Sequence, residues 1–436
     1  MAIALAQLKQ VSPARRKAFQ ILREVEAGAF SSILLAAEEP ELKPVDRALT
    51  HELVLGVLRW QLWLDKLIEH FTKRAIDTLD LPVRLALRLG LYQLRFLTRI
   101  PASAAVNESV NLVRSAGVSS AAAFVNAVLR RAIREANYDP ASEATNPIEK
   151  LAIETSHPAW LIERWTNAFG VVETDAFARA NNLVPPTAFR LVGGDFTEIL
   201  DRLRSTGGIV EPSKIAEDAW RVSGASSVVR EFAVEGKIYL QDEASQLVAQ
   251  TVDLQPGERA LDLCAAPGGK TTLIAQRAGN SALIVASDRS AKRLDTVVRI
   301  SNLHNFSQIK SLVLDAAQQL PFENSVFDRI LVDAPCSGTG TLRRNPEIRW
   351  RISESDIAEL AAQQKLFLHH ATRVLKPGGQ LIYSTCSIER DENEQVIAAF
   401  LERHTHFQLI NTLRTWPHRE GTDGFFIASF RLATQQ

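Results

Sequence analysis

Cysteine is scarce in this chain: 436 residues contain three, Cys264, Cys336 and Cys386. An odd number at wide spacing excludes a disulfide framework. No Cys-x-x-Cys or His-x-x-x-His pair occurs, so no zinc site is expected and no metal is assigned. Long apolar runs are also missing. None reaches the roughly 20 residues of a membrane span, and no membrane association is expected. The first ten residues, Met1 to Gln10, are too short and too weakly charged for a secretory signal. These absences point to a cytoplasmic protein, expected to be a monomer. Methionine is confined to Met1, for which no physical reason is evident. Net charge is absent as well, with 50 basic and 50 acidic residues. The charges are unevenly placed, however. Residues 1–135 hold 19 Lys and Arg against 13 Asp and Glu. That basic excess suits a phosphate backbone, and also suits an ordinary solvated surface.

The length implies two or three domains, and the patterning predicts three: residues 1–145, 146–235 and 236–436. The first reads as all helix. Ser12-Pro13 is an N-cap followed by Pro at the first helical position, and Ala18, Ile21, Leu22 and Val25 follow at helical spacing. One long helix is predicted from Asp46 to Phe71, and others over Leu81–Leu97, Ala102–Arg114 and Ser119–Glu135. Asn137, Asp139, Pro140 and Asn146-Pro147 then break the pattern. Val106-Asn107-Glu108-Ser109-Val110 and Phe124-Val125-Asn126-Ala127-Val128-Leu129-Arg130 carry a resemblance to the NusB family of small helical RNA-binding domains. Ala127 replaces that family's usual Gly, a change a helix tolerates. In the middle segment, a helix around Trp160, Ile162, Trp165 and Phe169 precedes a strand at Thr187–Leu191. A helix from Phe196 and a strand from Ile209 follow, which together make a small α/β module.

From about residue 236 the reading is Rossmann-like α/β. Five short apolar strands are predicted, at Ala260–Leu263, Leu283–Ala286, Ile309–Leu314, Ile330–Val332 and Leu381–Tyr383, separated by helices in a parallel sheet covered on both faces. Ligands of such sheets sit beyond the carboxyl ends of the strands. There the sequence places Cys264-Ala265-Ala266-Pro267-Gly268-Gly269-Lys270-Thr271, then Asp288, Asp315, Asp333 and Cys386. Gly269-Lys270-Thr271 looks like the end of a phosphate-binding loop, so an ATPase is one reading. Against it, Cys264 stands where that loop needs Gly, and Pro267 removes a backbone N–H from a turn that would cradle phosphate. S-adenosylmethionine has no phosphate. Asp288 lies 19 residues after Gly269, the separation of a ribose-hydroxyl reader, and Asp315 is placed for the adenine amino group.

Asp333-Ala334-Pro335-Cys336-Ser337-Gly338-Thr339-Gly340 and Tyr383-Ser384-Thr385-Cys386-Ser387, taken with the Gly-rich turn, resemble the NOL/NOP/Sun family of RNA 5-methylcytosine methyltransferases. Gln241-Asp242-Glu243-Ala244-Ser245, Arg343-Arg344-Asn345-Pro346 and Asp423-Gly424-Phe425-Phe426 add to the likeness. With the NusB-like front end, the chain is similar to the branch acting on bacterial small-subunit ribosomal RNA. The resemblance implies S-adenosylmethionine bound by residues 264–270, Asp288, Asp315 and Asp333, an RNA partner, and an RNA-contacting role for the middle segment. C5 of cytosine is a poor nucleophile, and a thiolate adding at C6 would make it enamine-like. By spacing alone either Cys336 or Cys386 could serve. The resemblance implies Cys386 as nucleophile and Cys336 in product release. Cys264, ending a strand, suits a packing and backbone role. Asp333 is expected to orient the cytosine ring or the donor's ammonium. Arg343, Arg344 and Arg349 are expected to hold phosphates. A transfer RNA methyltransferase and a non-catalytic NusB-like RNA-binding factor are the alternatives.

Overall fold

A computed structural model describes residues 11–38 and 42–434. The first ten residues, read above for a signal, lie outside it. The chain forms two compact units, one reaching Val184 together with Leu342–Arg351, the other comprising Pro185–Thr341 and the residues from Ile352 onward.

The first unit is helical because apolar residues recur at 3.6-residue spacing. Ala18, Ile21, Leu22 and Val25 of the helix Pro13–Glu26 are all buried. They join a core with Leu53, Val57, Leu64, Leu85, Leu89, Val113 and Leu129. The long helix expected over Asp46–Phe71 is two, Pro44–Arg59 and Gln61–Thr72. They break at Trp60, whose φ and ψ are −102° and 19°. Trp60 stacks on Phe96 at 4.9 Å between ring centroids, and Trp63 meets the same ring edge-on at 5.5 Å. No Gly or Pro marks this break, which comes from packing two indoles on one phenyl ring. Helical structure continues through Pro147–Thr155, Ala159–Phe169 and Val171–Ala180. Asn146 caps the first of these, its side chain accepting from the Glu149 N–H at 2.9 Å.

The segment Leu342–Arg351 corrects one expectation. Arg349 is wholly buried and donates to the carbonyls of Ser156 and Arg59 and to Asn182 Oδ1 at 3.0, 3.4 and 3.0 Å. Burial pulls its pKa down to about 9, helped by Arg59 nearby. Arg343 is also buried. Neither side chain is available to a phosphate. The Arg349 guanidinium has exchanged water for oxygens of the fold, because a buried charge must find hydrogen-bond partners.

The second unit holds two sheets. Strands β1 (Thr187–Leu191), β2 (Ile209–Pro212), β3 (Ala219–Ser223) and β4 (Ile238–Leu240) form an antiparallel sheet ordered β2-β3-β1-β4. The helices Phe196–Ser205 and Ser226–Val234 bury Leu203 and Phe232 against Phe189 and Val222. Strands β5 (Arg259–Asp262), β6 (Leu283–Asp288), β7 (Ile309–Val313), β8 (Phe327–Asp333), β9 (Leu375–Thr385), β10 (Phe407–Arg414) and β11 (Phe426–Leu432) form a sheet ordered β10-β11-β9-β8-β5-β6-β7. Five strands are parallel, as the alternating pattern requires. The sheet is mixed, however: β11 pairs antiparallel with β9 and β10. Strand β10 is an edge with one fully buried residue, Phe407, so it lacks the apolar run of a central strand. No helix separates β7 from β8. Residues 314–326 form a loop that buries Leu314 and Leu320. The chain leaves β5 toward β6 and β7, then returns to place β8 on the other side of β5. That reversal opens a crevice at the carboxyl ends.

Candidate active site

Each strand of the parallel set delivers a polar group into this crevice. After β5 the chain turns through Cys264–Gly268 into the helix Gly269–Ala278. Gly268 takes φ +108°, and a Cβ there would lie 3.2 Å from Val297 Cα, so only glycine fits. Ser287 Oγ donates to the carbonyls of Asp262 and Leu263, both at 3.1 Å. The Ala265 N–H donates to Ser287 O at 2.8 Å, which fixes the turn against β6. Arg293 closes it from the other side, donating to Ala266 O at 2.9 Å. Cys264, Ala266, Asp288, Asp315, Asp333, Cys336 and Cys386 all line one cavity of about 730 Å³. Asp288, at the end of β6, is buried. It accepts from the Ser290 N–H at 2.9 Å and pairs with Arg293 at 3.4 Å. Asp315 is exposed at the rim beyond β7.

Lys270 and Asp333 meet deeper in the crevice. Lys270 Nζ donates to Asp333 Oδ2 at 2.6 Å, and Ser384 Oγ donates to Asp333 Oδ1 at 2.7 Å. Burial alone would pull the Lys270 pKa down. The Asp333 carboxylate outweighs it and the net shift is upward, with a further contribution from Cys386. The Phe425 ring lies 5.2 Å from the ammonium. One strand over, Asp262 is buried, and that burial pushes its pKa up to about 7 against the opposing hydrogen bond from Thr271.

The two loop cysteines converge. Cys336 Sγ and Cys386 Sγ are 3.3 Å apart. The Cys336 thiol is pushed well above its ordinary value by its hydrogen bond to Cys386 and by burial. Cys264 is also pushed well up, by burial and by the Asp262, Asp333 and Asp288 carboxylates. Burial keeps Cys264 a neutral thiol. Backbone bonds lock the cysteine loops together: the Gly340 N–H donates to Cys386 O at 2.9 Å, and the Gly424 N–H to Gly340 O at 2.8 Å. A Cβ on Gly340 would lie 2.0 Å from Gly424 O. The motif Asp423-Gly424-Phe425-Phe426 therefore supplies both the backbone seat of the Cys336 loop and the ring beside Lys270.

Of the sequence-predicted turn, Cys264 and Ala266 line the cavity with Asp288, Asp333, Cys336 and Cys386, and Asp315 stands at its rim; Ala265, Pro267, Gly268 and Gly269 are not among its lining residues, and Lys270 meets it through Asp333. The roles of Ser384 and Phe425 were not foreseen, although both stand within motifs singled out above. Glu392 and Gln364, which pack behind the Cys336 loop, had no such marker.

A family model described as 16S rRNA methyltransferase RsmB/F matches residues 249–431. A relative from Bacillus subtilis (strain 168), named probable ribosomal RNA small subunit methyltransferase B, is 35% identical over 426 residues, covering 92% of this chain and 95% of its own. The chain belongs to the RsmB/F family of 16S rRNA methyltransferases. The NusB family model matches residues 12–134, and the ferredoxin-like domain of RsmF/B-like methyltransferases matches residues 157–229. A Pseudomonas putida relative, ribosomal RNA small subunit methyltransferase B, is 37% identical over 375 residues, covering 85% of this chain and 84% of its own. The crystal structure of PH0851 superposes with a TM-score of 0.84 at 29% identity, covering 96% of this chain and 99% of that one. As a member of this family the protein is an S-adenosylmethionine-dependent enzyme.

The cavity fits that donor. Its wall carries carboxylates at the ends of β6, β7 and β8 and apolar surface from Leu263, Leu314 and Phe367, a lining suited to hydroxyls, an amino group and a purine face. Among the described residues no helix is long and apolar enough to cross a membrane. Replacing Asp288 by Ala is expected to weaken donor binding by about 1–3 kcal/mol, the worth of a buried hydrogen bond to a ribose hydroxyl. Calorimetry that finds unchanged affinity would remove Asp288 from the donor site.

Proposed function

We propose that this enzyme methylates C5 of a cytosine in 16S rRNA, with Cys386 as the nucleophile. The observation that carries the reading is the 3.3 Å separation of the two thiols at one cavity wall. Two cysteines converging beside a bound base suit covalent attack and subsequent release. When bound, S-adenosylmethionine would supply an electrophilic methyl group on its sulfonium. Lys270, held charged by Asp333, is proposed as the cation that a thiolate nucleophile requires. The Cys386 thiolate adds to C6 of the cytosine, forming an S–C6 bond and making C5 nucleophilic. After methylation a solvent base takes the C5 proton, the C5–C6 double bond re-forms, and the S–C6 bond breaks to release Cys386 as a thiolate. The Cys336 thiol, held neutral, donates a hydrogen bond to the departing sulfur.

Asp333 is held on one side by Lys270 and Ser384, a placement suited to orienting the cytosine ring. Asp288, Asp315 and the turn from Cys264 through Lys270 hold the donor. The helical segment 1–145 and the module 146–235 are proposed to grip RNA outside the catalytic domain 236–436, with the enzyme acting as a monomer. A cytosine inside an A-form helix cannot reach this crevice, so the target is unpaired or flipped out.

The test is incubation with labelled donor and, separately, 16S rRNA and transfer RNA, followed by mapping. Label on C5 of a cytosine in 16S rRNA is expected. Label confined to transfer RNA would overturn the substrate, and label on an exocyclic nitrogen or a ribose would overturn the chemistry.

A further inference from the structure

Behind the two cysteines lies a carboxylate that the reaction as written does not use. Glu392 is completely buried. Its Oε1 accepts from the Ser337 N–H at 2.8 Å and from Gln364 Nε2 at 3.1 Å, and its Oε2 accepts from Ser337 Oγ at 2.5 Å. Ser337 Oγ in turn lies 2.9 Å from Ser387 Oγ. Ser337 follows Cys336 and Ser387 follows Cys386, so one carboxylate gathers the residues adjoining both thiols. The Glu392 carbonyl accepts from Tyr383 OH at 2.5 Å, and the same hydroxyl oxygen lies 2.9 Å from Gln364 Oε1. Gln364 Nε2 reaches Pro335 O at 3.0 Å. The network therefore touches the residue on each side of Cys336. No cationic side chain is among these partners. A buried carboxylate satisfied only by neutral donors is costly to keep ionised, and burial indeed raises the Glu392 pKa. A neutral side chain of similar shape would fill the same space at lower cost, so the retained carboxylate calls for a reason.

We infer that Glu392 is a positioning residue: through Ser337 and its neighbour Ser387 it holds the Cys336 loop on the Cys386 loop, and so keeps the two thiols in contact. This inference rests on the two-cysteine reading for its meaning in catalysis. The structural part stands on the network alone. Glu392 ties the Cys336 loop directly, through the Ser337 N–H and hydroxyl, and meets the Cys386 loop through the Ser337–Ser387 contact. Replacing Glu392 therefore acts on the Cys336 loop more than on the Cys386 loop.

The experiment compares wild-type enzyme with Glu392→Gln and Glu392→Asp, full length and without donor or RNA. Alkylation of the peptides holding Cys336 and Cys386 is followed by mass spectrometry across pH, with circular dichroism to verify the fold. A Gln amide has one accepting terminal atom, so it cannot take both the Ser337 N–H and the Ser337 hydroxyl, and the Cys336 loop loses one of its ties. Alkylation of Cys336 should then be about tenfold faster in Glu392→Gln than in wild type, the change that corresponds to one lost hydrogen bond. Alkylation of Cys386 should change less, and Glu392→Asp should lie between wild type and Glu392→Gln. With donor and 16S rRNA added, Glu392→Gln should accumulate a covalent protein–RNA band, because a displaced Cys336 no longer meets the departing sulfur. A folded Glu392→Gln protein with an unchanged Cys336 profile would overturn the inference. If Glu392→Gln does not fold, faster Cys336 alkylation in folded Glu392→Asp supports the inference, and a wild-type rate there overturns it. Absence of any covalent band, even from Cys336→Ala, would instead remove the two-cysteine reading and leave the alkylation result standing.

Discussion

Cys386→Ala enzyme is expected to lose methyl transfer by on the order of 10⁴-fold or more, the scale on which removing a covalent nucleophile acts. It should also give no protein–RNA band on a denaturing gel. Cys336→Ala should behave differently. Its Cys386 still attacks and the base is still methylated, but the departing sulfur has lost its donor 3.3 Å away. The enzyme should then stay bonded to its product, visible as a retarded band carrying the labelled methyl group. The double variant should show neither activity nor band. A band from Cys386→Ala and none from Cys336→Ala would transfer the nucleophile to Cys336. Methylation intact in all three variants would dispose of covalent catalysis altogether.

Lys270→Ala is expected to have the second largest effect. The ammonium pairs with Asp333 directly, at 2.6 Å. Removing a preorganised charge from such a site costs about 10²–10³ in rate. It also leaves Asp333 in the crevice without its cation, and breaking a largely buried pair by removing one partner costs about 3–5 kcal/mol. Asp333 keeps partial access to water, so a loss near the lower end is expected in denaturant unfolding. The sign with pH follows from the direction of the shift. The folded-state pKa of Lys270 is raised, so its contribution is fully present below the ordinary lysine value of about 10.4. It is lost only as pH rises through the folded value. The stability gap between wild type and Lys270→Ala should therefore be flat through neutral pH and close in strong alkali. Full single-turnover activity in Lys270→Ala would remove the lysine from the chemistry. A gap that closes near neutrality would mean that the lysine is not held charged by Asp333.

What the sequence determined by itself was the set of groups brought to the crevice. Glycine at 268, the strand-end carboxylates Asp288 and Asp333 and the two cysteine loops are legible because a parallel α/β sheet sends the carboxyl ends of its strands to one side. Once strands and helices alternate, the order along the chain is enough to predict that those residues meet. The helical front end was legible for a similar reason, since a 3.6-residue apolar period is local.

Tertiary structure decided matters that depend on which surfaces meet. Trp60 ends a helix because two indoles share Phe96, and no local signal records that. Residues 314–326 need no helix because Leu314 and Leu320 reach the core from a loop. The last two strands pair antiparallel at the sheet edge, where a sparse apolar pattern suffices. Two charged groups were decided in the same way. Arg349 follows the Cys336 loop among other arginines and reads as a phosphate contact, yet it is buried against carbonyls. Glu392 lies in Glu389-Arg390-Asp391-Glu392-Asn393-Glu394, which reads as a solvated surface run, yet it is the buried anchor of the Cys336 loop. Charge alone carries no direction along a chain. Whether a carboxylate faces water or two serines is decided only when distant segments pack and the desolvation cost must be offset by hydrogen bonds.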